Sequence, residues 1–392
     1  MNIVLSNSNR PGDGVVTIPL PIPRKEYDHS LALLQILGIG NSMDNDCYVI
    51  DIHGGIPMLN CLIGKHVNID EVDYLAKRLE SFDQRELAVF QGMAYAHGLE
   101  KPKDLINLTF SCENVTVVQD FSDLEKIGRQ HYMNLNVGYA SAYELERINT
   151  TKVATDLLNS QGGKITPYGI IYENGAELVQ YYTGASFPEY LYEQNVLSLE
   201  VSDGEQKSIW LDLPMPESQI GRMFERGGFS GQDAEILHAE FNIPNEITDL
   251  LCIPKESIHE LNRMCIAISE LPEKDIDKLA AASLMAEPEI ALQITHLAEN
   301  LDQFDFVPNA RTPEDYGKYM IKESGHFDYD ENLEEFYDYT KYGQHRMDTE
   351  TGEFNRFGYI SYHGTLSLDE LMMEDPAESY QQEQGLQMGG ME

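Results

Sequence analysis

The sequence is poor in basic residues, cysteine and tryptophan. Its 392 residues include 27 Lys and Arg against 66 Asp and Glu, which gives a formal net charge of −39. Nucleic acids and anionic membranes would repel so acidic a chain, so the charge balance argues against both as direct partners. The five cysteines form no CxxC pair, and their odd number does not suggest a disulfide framework.

Long apolar runs are also missing. The first ten residues, MNIVLSNSNR, lack the charged and apolar regions of a signal peptide. The longest apolar stretch, from Leu31 to Gly40, is too short to span a bilayer. We therefore expect a reduced, soluble, cytoplasmic protein without a membrane segment.

Catalytic and cofactor motifs are absent from the sequence. GxxxxGK[ST], GxGxxG and GxSxG do not occur, and HELNR (His259–Arg263) lacks the second histidine of a zinc peptidase. Residues Asp328–Asn332 have the spacing of the first EF-hand ligands. However, Leu333 stands where that loop needs glycine, and Tyr339 where it needs glutamate. We expect no cofactor, no metal and no enzymatic activity.

The acidic residues are spread through the chain. Residues 258–392 contain 29 acids and nine bases, and the first 257 residues contain the other 37 acids and 18 bases. The composition is nevertheless that of a folded protein, with 42% hydrophobic residues, 22 Tyr and 14 Phe. The length predicts two or three domains.

An internal repeat appears at an offset of 189 residues. DLEKIGR (Asp123–Arg129) aligns with TPEDYGK (Thr312–Lys318), and PYGII (Pro167–Ile171) aligns with RFGYI (Arg356–Ile360), with no gap between the anchors. Strand-like segments followed by PIP and PMP repeat near the start of each copy. The period is too long for a solenoid and fits two copies of one folded unit.

Each copy is predicted to consist of segregated strands around a helical middle, which is typical of an α+β fold. We place the parts of the chain at 1–14 (N-terminal leader strand or loop), 15–175 (first copy), 176–204 (junction), 205–372 (second copy) and 373–392 (disordered tail). The junction is rich in tyrosine and is therefore a candidate for packing against one unit.

The segment FDYDENLEEFYDYTKYG (Phe327–Gly343) contains six carboxylates and a row of aromatic residues. At helical period the apolar and acidic residues separate, which predicts one amphipathic helix with an anionic ridge. The apolar face would contain Leu333, Phe336 and Tyr337, and the ridge Glu331, Glu334, Glu335 and Asp338. Ordered carboxylates of this kind are able to imitate a row of phosphates.

The second copy resembles the ArdA family of antirestriction proteins. EDYGKYMIKESG (Glu314–Gly325), LEEFYDYTKYG (Leu333–Gly343) and FNRFGYISYHG (Phe354–Gly364) follow one another in the order of that family's features. SELPEKDIDKLAA (Ser269–Ala281) looks like the family's central helical region. The resemblance covers residues 208–364, and for the first copy it rests mainly on the internal repeat.

The resemblance implies an elongated, acidic α+β protein of a phage or mobile element, here with two tandem units whose small antiparallel sheets flank a helical middle. Such a protein mimics bent B-form DNA and occupies the DNA-binding groove of type I restriction-modification enzymes. The family usually has one unit and dimerises through its C-terminal part. The two copies would therefore form either an intramolecular pseudo-dimer or a longer rod that dimerises through the second copy. In the first copy, Tyr143–Leu158 replaces the aromatic and acidic motif.

On this interpretation the acids of the second copy form the DNA-mimic surface, and the neighbouring aromatic residues pack the helix or make a dimer contact. The expected surface acids are Asp328, Asp330, Glu331, Glu334, Glu335, Asp338, Glu314, Asp315, Asp348, Glu350 and Glu353. The aromatic residues are Phe336, Tyr337, Tyr339 and Tyr342. Two alternatives stay open: a DNA mimic that inhibits another defence nuclease, such as a CRISPR effector, and an acidic scaffold or regulatory protein.

Overall fold

The chain divides into two compact units in a computed structural model. One unit consists of Met1–Tyr192 with Pro216–Gln232, and the other of Glu193–Met215 with Asp233–Glu392. The structure describes residues 1–136, 139–175, 177–188, 195–204, 207–229 and 234–373, so the predicted tail lies outside it except for Met373. Each unit combines helices with small antiparallel sheets, and the predicted α+β class is confirmed. Within these ranges no helix has the length and apolar character needed to cross a membrane.

The first unit begins with a four-stranded antiparallel sheet in the order β2-β1-β3-β4. Its strands are β1 (Asn2–Ser6), β2 (Val16–Pro19), β3 (Cys47–His53) and β4 (His66–Val67). In β1, Ile3 and Leu5 are completely buried, as expected where alternate side chains of a strand face a core. Residues 1–14 therefore supply an interior strand of the fold.

Among its described residues, the first unit also contains seven helices before residue 160 and a second sheet. The helices are α1 (Tyr27–Ile36), α2 (Ile69–Glu80), α3 (Gln84–His97), α4 (Pro102–Leu108), α5 (Leu124–Leu135), α6 (Ala142–Arg147) and α7 (Thr150–Asn159). The sheet has the order β5-β7-β6 and consists of β5 (Val115–Val118), β6 (Lys164–Thr166) and β7 (Gly169–Glu173). After β7, Tyr182 is fully buried and stacks on Phe187, so aromatic residues of the predicted junction pack within this unit.

An eighth helix, α8 (Glu217–Gly227), completes the first unit, although its sequence position had placed it in the second copy. Arg222 donates two hydrogen bonds to the Asp70 carboxylate, with a shortest distance of 2.9 Å. Arg226 is 3% exposed and donates to Asn68 Oδ1 at 3.1 Å, and also to the Tyr182 hydroxyl. Hydrophobic periodicity does not reveal which unit a helix packs against. Here the guanidinium groups of Arg222 and of the buried Arg226 pair with residues of the first unit.

The second unit has the same two kinds of sheet around its helices. Its first sheet, in the order β10-β8-β9, consists of β8 (Leu197–Ser202), β9 (Ser208–Leu213) and β10 (Glu235–Phe241). Its second sheet, in the order β11-β13-β12, consists of β11 (Phe304–Pro308), β12 (Thr351–Phe354) and β13 (Gly358–Tyr362). Its helices are α9 (Ile258–Glu270), α10 (Ile276–Ala286), α11 (Ala291–Glu299), α12 (Pro313–Lys322), α13 (Tyr339–Met347) and α14 (Leu368–Met373).

Specific contacts recur at equivalent positions of the two units. The backbone N–H of Ile22 donates to Asp73 at 2.6 Å, and that of Met215 donates to Asn262 at 2.8 Å. Asp73 and Asn262 lie 189 positions apart in the sequence. Each of these side chains ties a helix, α2 or α9, to the segment that follows a sheet strand.

The closest helix contact of the second unit is the crossing of α12 and α13. A side chain at Gly317 would overlap the carbonyl oxygen of Tyr339, and one at Gly343 would overlap the carbonyl oxygen of Pro313. Gly128 of α5 meets the carbonyl of Thr150 in α7 in the same way. Only glycine, which has no Cβ, allows the two backbones to approach so closely.

We expect Gly317→Ala to lower the free energy of unfolding by about 1–3 kcal/mol, because the added methyl group forces α12 and α13 apart. The matched control is Gly221→Ala in α8, where a Cβ meets nothing within 4 Å. Denaturant unfolding followed by circular dichroism measures both. Equal stabilities of the two variants would contradict the close crossing.

Replacing Arg226 by Met should destabilise the first unit by about 3 kcal/mol, because the buried acceptors of Asn68 and Tyr182 lose their donor. Hydrogen exchange should then speed up in Glu217–Gly227. Arg24→Met, at an exposed arginine, serves as the control. Unchanged exchange in this helix would show that the guanidinium does not hold it.

Candidate functional site

The segment from Glu323 to Glu353, named here the acidic segment, contains ten carboxylates and only two basic residues, Lys341 and Arg346. The equivalent positions of the first unit, 134–164, contain three acids and three bases. The second unit therefore concentrates negative charge in this segment, whereas the equivalent positions of the first unit have no net charge.

The predicted single helix over Phe327–Gly343 is wrong. Glu331–Phe336 form a 3-10 turn, and α13 begins only at Tyr339. Leu333 and Phe336 are 46% and 74% exposed, so the expected apolar face is not buried.

Two aspartates explain the break. The Asp330 side chain accepts a hydrogen bond from the N–H of Asn332 at 2.9 Å, and Asp338 accepts one from the N–H of Lys341 at 3.1 Å. Aspartate favours the position before a helix start, where it satisfies an otherwise unpaired N–H. A continuous helix would also place like charges three and four residues apart, which is unfavourable.

The Glu334 side chain is 44% exposed, but its carboxylate is engaged in hydrogen bonds within the protein. Its carboxylate accepts hydrogen bonds from Lys322 Nζ at 2.6 Å, from the Tyr339 hydroxyl at 2.9 Å and from the Tyr329 hydroxyl. The bond from Lys322 and then that from Tyr329 lower the pKa of Glu334 to about 2. This carboxylate ties the 3-10 turn to the end of α12 and to the start of α13.

Glu350 has a similar role behind α13. It accepts hydrogen bonds from the hydroxyls of Tyr316 at 2.7 Å and Tyr359 at 3.3 Å, and pairs with Arg346. The rings of Tyr316 and Tyr359 stack with centroids 4.1 Å apart. Burial raises the pKa of both tyrosines, so they remain protonated hydrogen-bond donors.

Three further predicted acids have local contacts. Asp315 accepts a hydrogen bond from the Thr312 hydroxyl at 2.8 Å and caps α12, and this bond lowers the pKa of Asp315. Glu314 pairs with Lys318 at 2.6 Å. Asp348 accepts a hydrogen bond from Gln344 at 2.9 Å.

Five exposed carboxylates of the acidic segment make no hydrogen bond or ion pair within the described part of the chain. They are Glu323, Asp328, Glu331, Glu335 and Glu353. Four of them were predicted from the sequence, whereas Glu323 was missed, although its place directly after α12 in the acidic run was a usable signal. These five groups are available for the cations of a partner.

The four predicted aromatic residues differ in burial. Tyr339 is buried, Tyr337 and Tyr342 are half-buried, and Phe336 is exposed, so three of them pack within the unit. The dimer contact stays a prediction. The residues that the sequence did not reveal are the partners of Glu334 and Glu350, namely Lys322, Tyr329, Tyr316, Tyr359 and Arg346.

In the described residues, no group of three or more His, Cys, Asp or Glu side chains is arranged to hold a metal ion. The segment that follows the spacing of an EF-hand, Asp328–Asn332, has Asp330 engaged as a cap. What this surface offers a partner is therefore negative charge and hydrogen-bond acceptors.

We expect the Glu334 carboxyl to titrate with a midpoint near pH 2 when followed by carbon NMR. Lys322→Met should move the midpoint upward, because the ammonium group that favours the carboxylate is lost. Lys318→Met, which removes the partner of Glu314, should leave it in place. Because the pKa is lowered on folding, this contribution to stability is present above the usual range of Glu and disappears as the pH falls toward 2.

Comparison with known proteins identifies the region that contains this site. Residues 201–361 match the model of a family described as antirestriction protein (ArdA). No curated relative matches the chain. The matched range begins in β8, ends in β13 and includes the whole acidic segment. The chain therefore carries, over residues 201–361, a domain of the ArdA antirestriction family.

Proposed function

We propose that this protein blocks a type I restriction-modification enzyme by placing the acidic segment in the enzyme's basic DNA-binding groove, as a mimic of B-form DNA. The five exposed and unpartnered carboxylates from Glu323 to Glu353 carry this proposal. The family's description as antirestriction supports the class of target. Inhibition by occupation needs no bond to be made or broken, in keeping with the expectation that the chain is not an enzyme.

Electrostatics supports the mimicry. Duplex DNA carries one charge per roughly 1.7 Å of axis, and a DNA-binding groove is basic along its length. The attraction to such a groove is the sum of many modest charge pairs and weakens with salt. A surface with ten carboxylates and two bases within 31 residues is suited to this kind of contact.

The hydrogen bonds that anchor the segment support the same proposal. Glu334 and Glu350 fasten the backbone from inside, so the free carboxylates project from a fixed frame. A preorganised surface loses less conformational entropy on binding than a flexible acidic tail. This favours a specific inhibitor over an acidic scaffold of scattered charge.

We infer that the first unit is a divergent copy of the ArdA-like unit with a different role. The sheets of the first unit pair their strands in the same relative order as those of the second, apart from the additional strand β4, and its glycine crossing at Gly128 matches that at Gly317. Its segment 134–164, however, has equal numbers of acids and bases. We propose that the second unit supplies the DNA-mimic surface and that the first unit does not.

Neutralising four free carboxylates together should weaken inhibition by roughly tenfold to a hundredfold, while each single change costs less than about fivefold, because the attraction is spread over many weak pairs. The variant combines Asp328→Asn, Glu331→Gln, Glu335→Gln and Glu353→Gln. The measurement is displacement of labelled duplex from a purified type I restriction enzyme at two salt concentrations.

A matched control removes four exposed acids of the first unit: Glu125→Gln, Glu146→Gln, Asp156→Asn and Glu177→Gln. It should displace DNA as the unmodified chain does. Equal loss in both variants would show that net charge alone acts. Absence of displacement by the unmodified chain at either salt would refute the type I target.

A further inference from the structure

A groove outside the acidic segment lies beside the starts of α9 and α11. Its cavity has a volume of about 600 Å³, within the range of ligand-binding pockets. It combines apolar side chains with carboxylates, namely Leu250, Ile290 and Leu292 with Glu256, Glu260 and Glu289. Leu250 and Ile290 are 54% and 45% exposed, so apolar surface is open to a partner.

The equivalent positions of the first unit, 189 residues earlier, have a different charge balance. Glu71 and Glu100 correspond to Glu260 and Glu289, so both carboxylates are present in each unit. Ile290 and Leu292, however, correspond to Lys101 and Lys103. The second unit therefore lacks the two lysines that accompany these acids in the first, and one base, Lys255, lines its groove.

In the first unit these positions are covered by the chain itself. The Tyr182 hydroxyl donates to Glu71 at 2.9 Å, and Lys103 donates to the carbonyl of Thr183 at 2.7 Å. The guanidinium of Arg226 lies 4.4 Å from the centre of the Phe187 ring and donates to the Tyr182 hydroxyl. An arginine beside a pair of stacked aromatic rings thus accompanies the acid.

The second unit lacks these donors. At the same offset Tyr182 corresponds to Leu371, which has no hydroxyl and is buried in α14. Glu260 Oε2 is buried and has no hydrogen-bond partner among the residues that the structure describes. A buried carboxylate oxygen without a donor is costly, and a cation from a partner would satisfy it.

His296 is a second buried side chain with an unsatisfied atom, and it lies outside the lining of the groove. It corresponds to Asn107, whose side chain bonds to both backbone groups of Tyr182. His296 is 1% exposed, and its Nδ1 bonds to the Met372 carbonyl at 3.1 Å. Its Nε2 is without a partner in the described ranges. Two side chains bond to Tyr182 in the first unit, Glu71 and Asn107. Their counterparts in the second unit, Glu260 and His296, each have an unsatisfied polar atom.

Glu256 adds to the demand for a cation. Partial burial, together with the charge of the neighbouring Glu260, raises the pKa of its carboxyl. A bound positive charge would favour the ionised form of both groups.

We propose that the groove formed by Leu250, Ile290, Leu292, Glu256, Glu260 and Glu289 is a second binding site, which takes an arginine side chain presented beside an aromatic residue by a partner protein. The first unit shows this arrangement within one chain, with Arg226 and Phe187 at the equivalent place. The residues after Met373 contain five acids and no base, so they do not supply the cation. The site does not rest on the proposed function, because none of its acids belongs to the acidic segment.

Cys252 reports on occupation of this groove. It lies in the cavity lining and is the exposed member of the five cysteines, of which three are buried and one is half-buried. A bound peptide should therefore shield its thiol from iodoacetamide. Mass spectrometry of the full-length chain gives the alkylation rate at this residue.

The probe is a short peptide with one arginine between two phenylalanines, and its control contains citrulline, the neutral analogue, in place of arginine. We expect the arginine peptide to slow alkylation of Cys252, and the citrulline peptide to need roughly tenfold higher concentration for the same effect. Equal protection by both peptides, or none by either, would overturn the proposal.

Three variants test the residues that carry it. Glu260→Gln should abolish the preference for arginine over citrulline, and Leu292→Lys, which introduces the base found at Lys103, should abolish protection. Glu270→Gln, an exposed acid at the other end of α9, should behave as the unmodified chain. Thermal unfolding checks that each variant is folded. An unchanged preference in Glu260→Gln would refute the site.

A second copy of this chain is the competing occupant. In that case Cys252 would already be protected without peptide and would become reactive on dilution, in step with a fall in mass by light scattering. That outcome would replace the partner protein by self-association and overturn the proposal.

Discussion

The acidic segment depends on the contact at which α12 and α13 cross through Gly317 and Gly343. Because both glycines lack a Cβ, the two backbones touch, and Tyr339 is buried at the start of α13. The same crossing places Lys322, Tyr329 and Tyr339 around Glu334. Without it, the chain from Glu323 to Asp338 would have no fixed anchor, and its carboxylates would repel one another into an extended loop.

Three of the few bases in and near the acidic segment form ion pairs with its carboxylates or with Glu314. Lys322 pairs with Glu334, Lys318 with Glu314, and Arg346 with Glu350. Lys322 and Arg346 therefore pair with carboxylates that also accept hydrogen bonds from tyrosine hydroxyls, whereas Lys318 pairs with an exposed carboxylate of its own helix. Acids within one short segment thus have separate roles: some fasten the frame, some cap helices, and others face solvent.

The α+β class could be predicted from the sequence, and the aligned segments Asp123–Arg129 and Thr312–Lys318 coincide with the starts of α5 and α12, which make the same kind of glycine contact. The structure of the acidic segment could not be predicted in this way. Its apolar residues do recur at helical period, but two aspartates within it favour helix starts and divide it. The sequence also did not reveal which acids form hydrogen bonds within the unit. Glu334 and Glu335 are neighbours of one type, and only the distant Lys322 and Tyr329 distinguish them.

The position of α8 has a consequence for inheritance. The helix lies in the chain between β9 and β10 of the second unit, yet it packs into the first through Arg222 and Arg226. No single break of the gene would yield two complete products, since a cut before Pro216 removes this helix from the first unit, and a cut after Gln232 removes β8 and β9 from the second. Recombination that exchanges one unit for another must therefore carry the interleaved stretch with it, which favours transmission of the pair as one gene.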